Sequence, residues 1–420
     1  MSGKDFEGLS MIIKSTFLQI MNRFIHPEAP APAVSQLQTR EIGELFRLAR
    51  LHALYPAVYE AVQTAPAYLA LPEEERRRRK QQTLQMVISQ TQRTFHFLRI
   101  YQALLDQGLT PLVVKGLVLR SLYEKPDYRA SSDEDLLIRR EDFFRVDAAL
   151  KAMGFTRDEV EKPQEQHEIT FLDNATGVHL EIHMSLFPEQ SGAYGRLNRE
   201  FTQVFDHSVV QTIQGVPIHT LEPTEHMLYL LCHGLKHFLH SGFGIRQLCD
   251  MIVFAEAYGE KIDWARVEEA TRRQNMYVFW MNLFDIGQRC LGFSWEKAGL
   301  QRPENVDLDS EAMLDDLLCS GIYGKSTENR VHSANITLQA AQSGHRSAMP
   351  LASLFPGLSY MQRSYPYLKR HKWLLPAAWV QRGAGYLRKA GKQDVSAVLD
   401  TGNYRVGLMK KYGIIGDTKK

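Results

Sequence analysis

Gly108-Leu-Thr-Pro-Leu-Val-Val-Lys115-Gly116 and, shortly after it, Arg129-Ala-Ser-Ser-Asp133-Glu-Asp135-Leu-Leu-Ile138 decide how this chain is read. The first breaks an apolar run at a glycine, which predicts a strand entering a helix through Tyr123. The second predicts a strand from Asp133 to Ile138, followed by a helix from Glu141 to Met153. Side chains alternate along a strand, so Asp133 and Asp135 share a face, where two carboxylates can hold hard divalent cations. Spacing alone is weak support: at this acid content roughly five such pairs arise by chance, and turn or helix-capping acids take the same form. Context strengthens it, because a glycine after Lys115 lets a triphosphate approach the N–H groups of a helix N-terminus. Together the two stretches describe a metal-nucleotide site. Lys115 then either reaches the triphosphate or pairs with a core carboxylate.

Two further strands are expected at Glu168–Leu172 and Val178–Leu186, across the turn at 173–177, and a hairpin at Val209–Ile213 and Val216–His219. The second of these strands carries His179-Leu-Glu181-Ile-His183. Glu181 offers a third carboxylate, able to bind a metal or accept an acceptor hydroxyl's proton for in-line attack on an α-phosphate, with His183 on the same face. Helical periodicity dominates before residue 96 and returns at Pro223-Thr224-Glu225. The expected organisation is a helical region over 1–95, an α/β core over 96–220, a helical domain over 221–345 and a basic, aromatic-rich tail over 346–420. Glu73, Glu74 and Glu75 can meet most of the charge of Arg76–Lys80 on one helix face, so that run reads as a solvated helix, with a nucleic-acid patch as the alternative.

These residues resemble a known group, the nucleotidyltransferase (DNA polymerase beta-like) superfamily, and within it the bacterial family called uncharacterised nucleotidyltransferase. The resemblance rests on Val113-Val-Lys115-Gly116, Leu122-Tyr123, the Arg129–Ile138 stretch, Gly154-Phe155 and Leu180-Glu181-Ile-His183. It extends through His233-Gly-Leu-Lys236-His237 and Asp250 to Leu354-Phe-Pro356, Met361, Tyr365, Leu374-Leu-Pro376, Trp379 and Arg382. It implies an α+β class, a mixed-sheet nucleotidyltransferase core flanked by helices. It also implies Mg²⁺, with Mn²⁺ as the alternative, on Asp133 and Asp135, Glu181 as third carboxylate, and Gly116 beneath an NTP's triphosphate. Leu117 stands where the superfamily usually has Gly or Ser, and Glu134 where it usually has an apolar residue; Glu134 is expected on the opposite face of its strand.

Around this centre Arg129 and Ser132 are candidates for phosphate contact, or for fixing the preceding loop. His233 and His237 fall at i, i+4 with His240 beyond, a zinc-like spacing that packing or hydrogen bonding also produces. The resemblance, in which Lys236 and His237 recur, implies that they form with His233 a substrate-facing cationic patch over the cleft, contacting the acceptor together with His183; Asp250 is either a partner for one histidine or a helix-surface acid. No Asp or Glu occurs from Asn329 to Gln393, where ten cations lie. Trp373 to Val380, flanked by Lys369, Arg370, Lys372 and Arg382, combines aromatics and bases as interfacial segments do, so residues 363–392 are read either as packing on the body or as a peripheral membrane or polyanion contact.

Composition narrows the classes. The chain has 420 residues, 44% hydrophobic and 23% charged, and a formal charge of +2, so no global field recruits nucleic acid or membrane. The four scattered cysteines exclude a disulfide framework and a C-x-x-C zinc site. No apolar run reaches the roughly 18 residues of a spanning helix, and the start Met1-Ser-Gly-Lys-Asp-Phe-Glu is unlike a signal peptide, so a cytoplasmic location is expected. The leading expectation is an ATP- or other NTP-binding, Mg²⁺-dependent transfer of a nucleoside monophosphate to an acceptor hydroxyl on a small molecule, peptide, protein or RNA. Alternatives are a phosphotransferase using the same metals, and a non-catalytic nucleotide-binding scaffold whose basic tail holds membrane or RNA.

Overall fold

The protein is described by a computed structural model covering residues 10–416, apart from 241, 305, 307, 322–327, 344–357, 359–360, 362–364 and 382–394. Five helices come first: α1 (Met11–Ile25), α2 (Thr39–Leu51), α3 (Tyr55–Val62), α4 (Pro66–Leu69) and α5 (Glu73–Leu105). Ser10 caps α1 by accepting the Ile13 N–H, and Glu41 in the first turn of α2 accepts the Gln38 N–H at 2.8 Å. The long α5 starts with three glutamates, favoured at the positive end of the helix dipole. Its basic run is partly neutralised by the Glu75–Arg79 ion pair one turn apart, and Arg79 lies over the Phe46 ring at 4.2 Å to the centroid.

The expected α+β class holds: one mixed six-stranded sheet is flanked by helices. Its strands are β1 (Leu112–Val113), β2 (Glu134–Leu137), β3 (Glu168–Asp173), β4 (Val178–His183), β5 (Val209–Ile213) and β6 (Val216–Thr220), in the order β3-β4-β2-β1-β6-β5. The β2–β4 and β1–β6 pairs are parallel, and the other three are antiparallel. β1 is far shorter than the apolar run suggests. Gly108, at φ +68°, closes α5, and Pro111 brings no N–H to a ladder. The following helix α6 (Leu117–Arg120) also stops before Tyr123. A second short helix, α7 (Phe143–Ala152), lies between β2 and β3 and supplies part of the crossover that a parallel pair requires. The β5–β6 turn places Gln214 and Gly215 at φ +48° and +85°, the two-residue hairpin geometry that suits strand twist.

Each sheet face has its own role. Leu136, Leu180, Ile182, Ile169 and Phe171 pack with Phe97, Leu98, Tyr101 and Leu104 of α5 and Phe143, Val146 and Leu150 of α7. The other face joins a larger apolar core through Leu112, Val114 and Leu137. That core runs unbroken from α1–α4 to α8 (Pro223–Leu239), α9 (Ile245–Tyr258), α10 (Trp264–Arg273), α11 (Tyr277–Leu291), α12 (Glu311–Ser320), α13 (Glu328–Ser343) and α14 (Val395–Lys411). The helices before and after the sheet therefore share one interior. Glu222 caps α8 by accepting the Thr224 and Glu225 N–H groups, and Pro223 sits in the first turn, as the sequence predicts. Of the segment 363–392, expected to pack on the body or to contact a membrane or polyanion, residues 365–381 are described; 363–364 and 382–392 lie outside the described residues, as do Leu354, Phe355 and Pro356.

His226 on α8 is wholly buried beside Thr220 and 4.7 Å from the Phe254 ring, and burial pushes its pKa down to about 4. A histidine kept neutral in the fold but free to protonate when unfolded gives stability that is complete above pH 6.5 and lost as pH falls towards 4. Between pH 7 and 5 the urea-unfolding free energy of wild type should fall by about 2 kcal/mol more than that of His226→Gln. Equal losses would show that His226 does not carry this dependence.

Candidate active site

Parallel pairing of β2 with β4 sets Asp135 opposite Glu181 and Leu137 opposite His183, while antiparallel β3 sets Glu168 opposite His183. Alternation then turns Asp135, Glu181, His183 and Glu168 to one face, away from the Leu136–Leu180–Ile182 core. Asp135 is fully buried. Its Oδ1 accepts from Lys115 Nζ at 2.9 Å and lies 3.0 Å from His183 Nε2. His183 Nε2 is also 3.6 Å from Glu181 Oε2, and its Nδ1 is 3.7 Å from Glu168 Oε2. Burial alone would raise the Asp135 carboxyl; Lys115 and His183 overcome it and hold the group below the usual carboxylate range. Burial likewise opposes charge on His183, yet the Asp135 and Glu181 carboxylates lift its pKa to about 9. Glu168, similarly opposed by burial, is held at about 2 by His167 and His183.

The turn between β1 and α6 supplies Lys115 and Gly116. Gly116 has φ +53°, and a Cβ there would lie 2.1 Å from Glu134 Oε2. Glu134 points off the opposite face of β2, as expected, and is itself buried. Its Oε2 accepts the Leu117 N–H at 3.0 Å, and its Oε1 accepts from Arg120 at 2.5 Å and from Ser131 Oγ at 3.3 Å. The first N–H of α6 is thus already taken by a carboxylate of the chain. Glycine is required here both by backbone angle and by the close approach of that carboxylate.

A second wall comes from α8 and α9. His233 Nε2 lies 3.2 Å from Lys115 Nζ and 3.0 Å from His237 Nε2. With Lys115 charged, as Asp135 and neighbouring acids hold it against burial, His233 serves as acceptor. Burial and the Lys115 charge push both histidines well below the ordinary range, so they are neutral and, contrary to expectation, add no positive charge to the patch over the cleft. Burial also lowers Lys236. Arg246, lowered to about 10 by burial and by Arg129, donates to the Ala130 carbonyl. These walls enclose a cavity of about 370 Å³, within the range of ligand pockets.

The cavity lining brings together all the sequence-predicted site residues: Lys115, Gly116, Arg129, Ser132, Asp133, Asp135, Glu181, His183, His233, Lys236 and His237. Asp133 sits one residue before β2, half-buried, and accepts from Ser132 Oγ at 3.2 Å. The tightest group of metal-ligating side chains among the described residues is Asp135, Glu181 and His183, with ligand atoms within 4.8 Å of one another. Lys115 lines the cavity while paired with the Asp135 carboxylate. Asp250 does not orient a histidine as the sequence suggests. It receives two bonds from Arg129, at 3.0 and 2.7 Å, and one from Tyr123 at 2.8 Å, tying the loop before β2 to α9. Glu168 and Arg246 escaped sequence reading. Glu168 was reachable by counting antiparallel register back from His183 across the 173–177 turn, whereas Arg246 carries no local signal.

Residues 38–292 match the model of the family described as uncharacterised nucleotidyltransferase, and the chain belongs to that family. The mixed sheet with flanking helices is consistent with a nucleotidyltransferase fold, and the family supports nucleotidyl transfer as the general chemistry. No curated protein and no solved structure matches the chain. No helix among the described residues is long and apolar enough to cross a membrane.

Gly116→Ala should cost about 1–3 kcal/mol in urea unfolding, through strain at positive φ and displacement of Glu134. Gly43→Ala on α2, where an added Cβ meets nothing, should instead be neutral or stabilising. Equal effects at the two positions would remove the argument for a tight Gly116–Glu134 contact.

Proposed function

We propose that this protein is a Mg²⁺-dependent nucleotidyltransferase that moves a nucleoside monophosphate from an NTP to an acceptor hydroxyl and releases pyrophosphate. The observation that carries the reading is the in-register Asp135–Glu181 pair with His183, set in a cavity of ligand size. The donor set suits a hard cation. Asp135 Oδ2 is buried with no hydrogen-bond partner among the described residues, and carboxylate oxygens suit Mg²⁺ and also Mn²⁺. Asp133 and Asp135 would hold the ion. When bound, it neutralises phosphate charge and eases deprotonation of the acceptor hydroxyl.

The chain's own groups supply the rest. Glu181, half-buried at the cavity wall, takes the acceptor proton as the acceptor oxygen bonds to the α-phosphorus and the bond to the β-phosphate oxygen breaks. Lys115, Lys236 and Arg246 face this space and offset the charge that collects on the phosphates and on the departing pyrophosphate. Neutral His233, itself bonded to His237, accepts from Lys115 and with Asp135 holds the ammonium at the cavity lining. The acceptor enters past His183, Lys236 and His237. The reading places the protein in the cytoplasm, where its four free thiols stay reduced.

Calorimetric titration of ATP, GTP, CTP and UTP with Mg²⁺ should find one nucleotide whose binding requires the metal. Asp133→Asn should lower turnover at least about 100-fold with little change in unfolding midpoint, since Asp133 is half-buried and bonds only to neighbouring Ser132 among the described contacts. Glu181→Gln should lower turnover similarly while nucleotide affinity stays within a few-fold. Retained turnover in both variants, or no nucleotide binding by folded wild type, overturns the reading. Formation of a nucleoside diphosphate in place of pyrophosphate would assign phosphotransfer to the same site.

A further inference from the structure

The segment 365–381 folds on itself. A short 3₁₀ turn (Pro366–Lys369) is followed by a second (Lys372–Leu374) that continues as helix over 375–381. The His371 N–H bonds to the Tyr367 carbonyl at 2.9 Å, and Tyr367 Oη donates to Gln381 Oε1 at 3.0 Å, so both ends of the helical run are tied to the preceding turn. Met361, Leu368 and Ala378 are buried in a small cluster of their own, with Leu374, Leu375 and Trp379 packed around it. The inward face of this helix is therefore satisfied. Its outward face is not polar, as solvent would favour: Trp373 is 76% exposed, Val380 is 73% exposed, and Ala377 between them is exposed as well. Ala377 and Val380 fall at i, i+3 on the helical run and Trp373 stands in the 3₁₀ turn just before it, so the three exposed apolar side chains follow one another along the segment as a stripe.

We propose that this stripe is a membrane-docking surface, in which Trp373 and Val380 enter the interface of an anionic bilayer. Arg370 and Lys372 are exposed beside the tryptophan, and the sequence from Asn329 to Gln393 has no acid to neutralise them. That charge complements anionic headgroups, each nearby cation adding to the attraction. Tryptophan beside basic residues is the composition that seats at the headgroup level. A nucleic acid would use the same cations, but it stacks bases on aromatic faces and has no use for outward aliphatic groups at 377 and 380. The bilayer accounts for both features.

The test is flotation of the full chain with vesicles of phosphatidylcholine alone and with added phosphatidylglycerol, at low salt and at about 0.5 M, where surface attraction is largely screened. Wild type should bind the phosphatidylglycerol vesicles at low salt, at least about fivefold more than neutral ones, and lose most of this at high salt. Trp373→Ser with Val380→Ser should reduce binding about tenfold without shifting the thermal midpoint, since both side chains are exposed. Arg370→Gln with Lys372→Gln should abolish the preference for phosphatidylglycerol. Absence of wild-type binding at low salt, or undiminished binding by the Trp373/Val380 variant, overturns the proposal. So does a single-stranded RNA that displaces the vesicles and binds that variant as well as wild type.

Discussion

The carboxylate of Asp135 is out of contact with water, and the architecture of the cavity follows from the need to compensate it. An isolated buried charge costs several kcal/mol, so it persists only where partners are held in place around it. Lys115 arrives from the end of β1, His183 from the neighbouring parallel strand, and each meets the same oxygen at hydrogen-bond distance. Compensation spreads outward from there. Glu181 and Glu168 sustain the charge on His183, while His233 and His237 remain neutral and so add no repulsion to Lys115. The outcome is a cleft with an acidic wall on the sheet and a basic, imidazole-rich wall on α8 and α9. Such opposed walls suit a ligand that brings both a polyanion and a cation.

Strand β2 serves two ends because its side chains alternate. Glu134 turns to one face and holds the start of α6 through the Leu117 N–H and Arg120, and Asp135 turns to the other and faces the cavity. A shift of one residue in register would exchange these roles and bury neither carboxylate with its partners. The strand is pinned against that shift. Leu136 and Leu137 are buried in different cores, and the Arg129–Asp250 pair ties the loop before β2 to α9. Fold stability and site geometry are therefore coupled through the same few residues.

Much of this was legible beforehand. The strand around Asp133–Ile138, the glycine break at Gly116, the 173–177 and 214–215 turns and the start of α8 all carry local signals, and the structure holds elements at each, with ends shifted by a residue or two. Where local signals compete, reading went astray. The apolar run after Gly108 suggests a long strand, but a left-handed glycine and a proline leave only Leu112–Val113 in the ladder. Asp250, equally plausible as a partner for a histidine, is claimed by Arg129 instead, a choice made by the packing of α9 against the loop before β2.

By itself the sequence determined where strands and helices alternate along the chain, and that Asp135 and Glu181 each lie on a strand, because periodicity and turn chemistry are local properties of the chain. Which residues meet across elements was decided only by tertiary structure. Asp135 and Glu181, far apart in sequence, became neighbours through a parallel strand pairing that no local pattern encodes. Lys115 found its carboxylate there, Glu134 its glycine, and Arg246 its place in the cavity wall. The physical reason is the same each time: burial raises the cost of an unpaired charge, and only the completed fold fixes which partner stands close enough to compensate it.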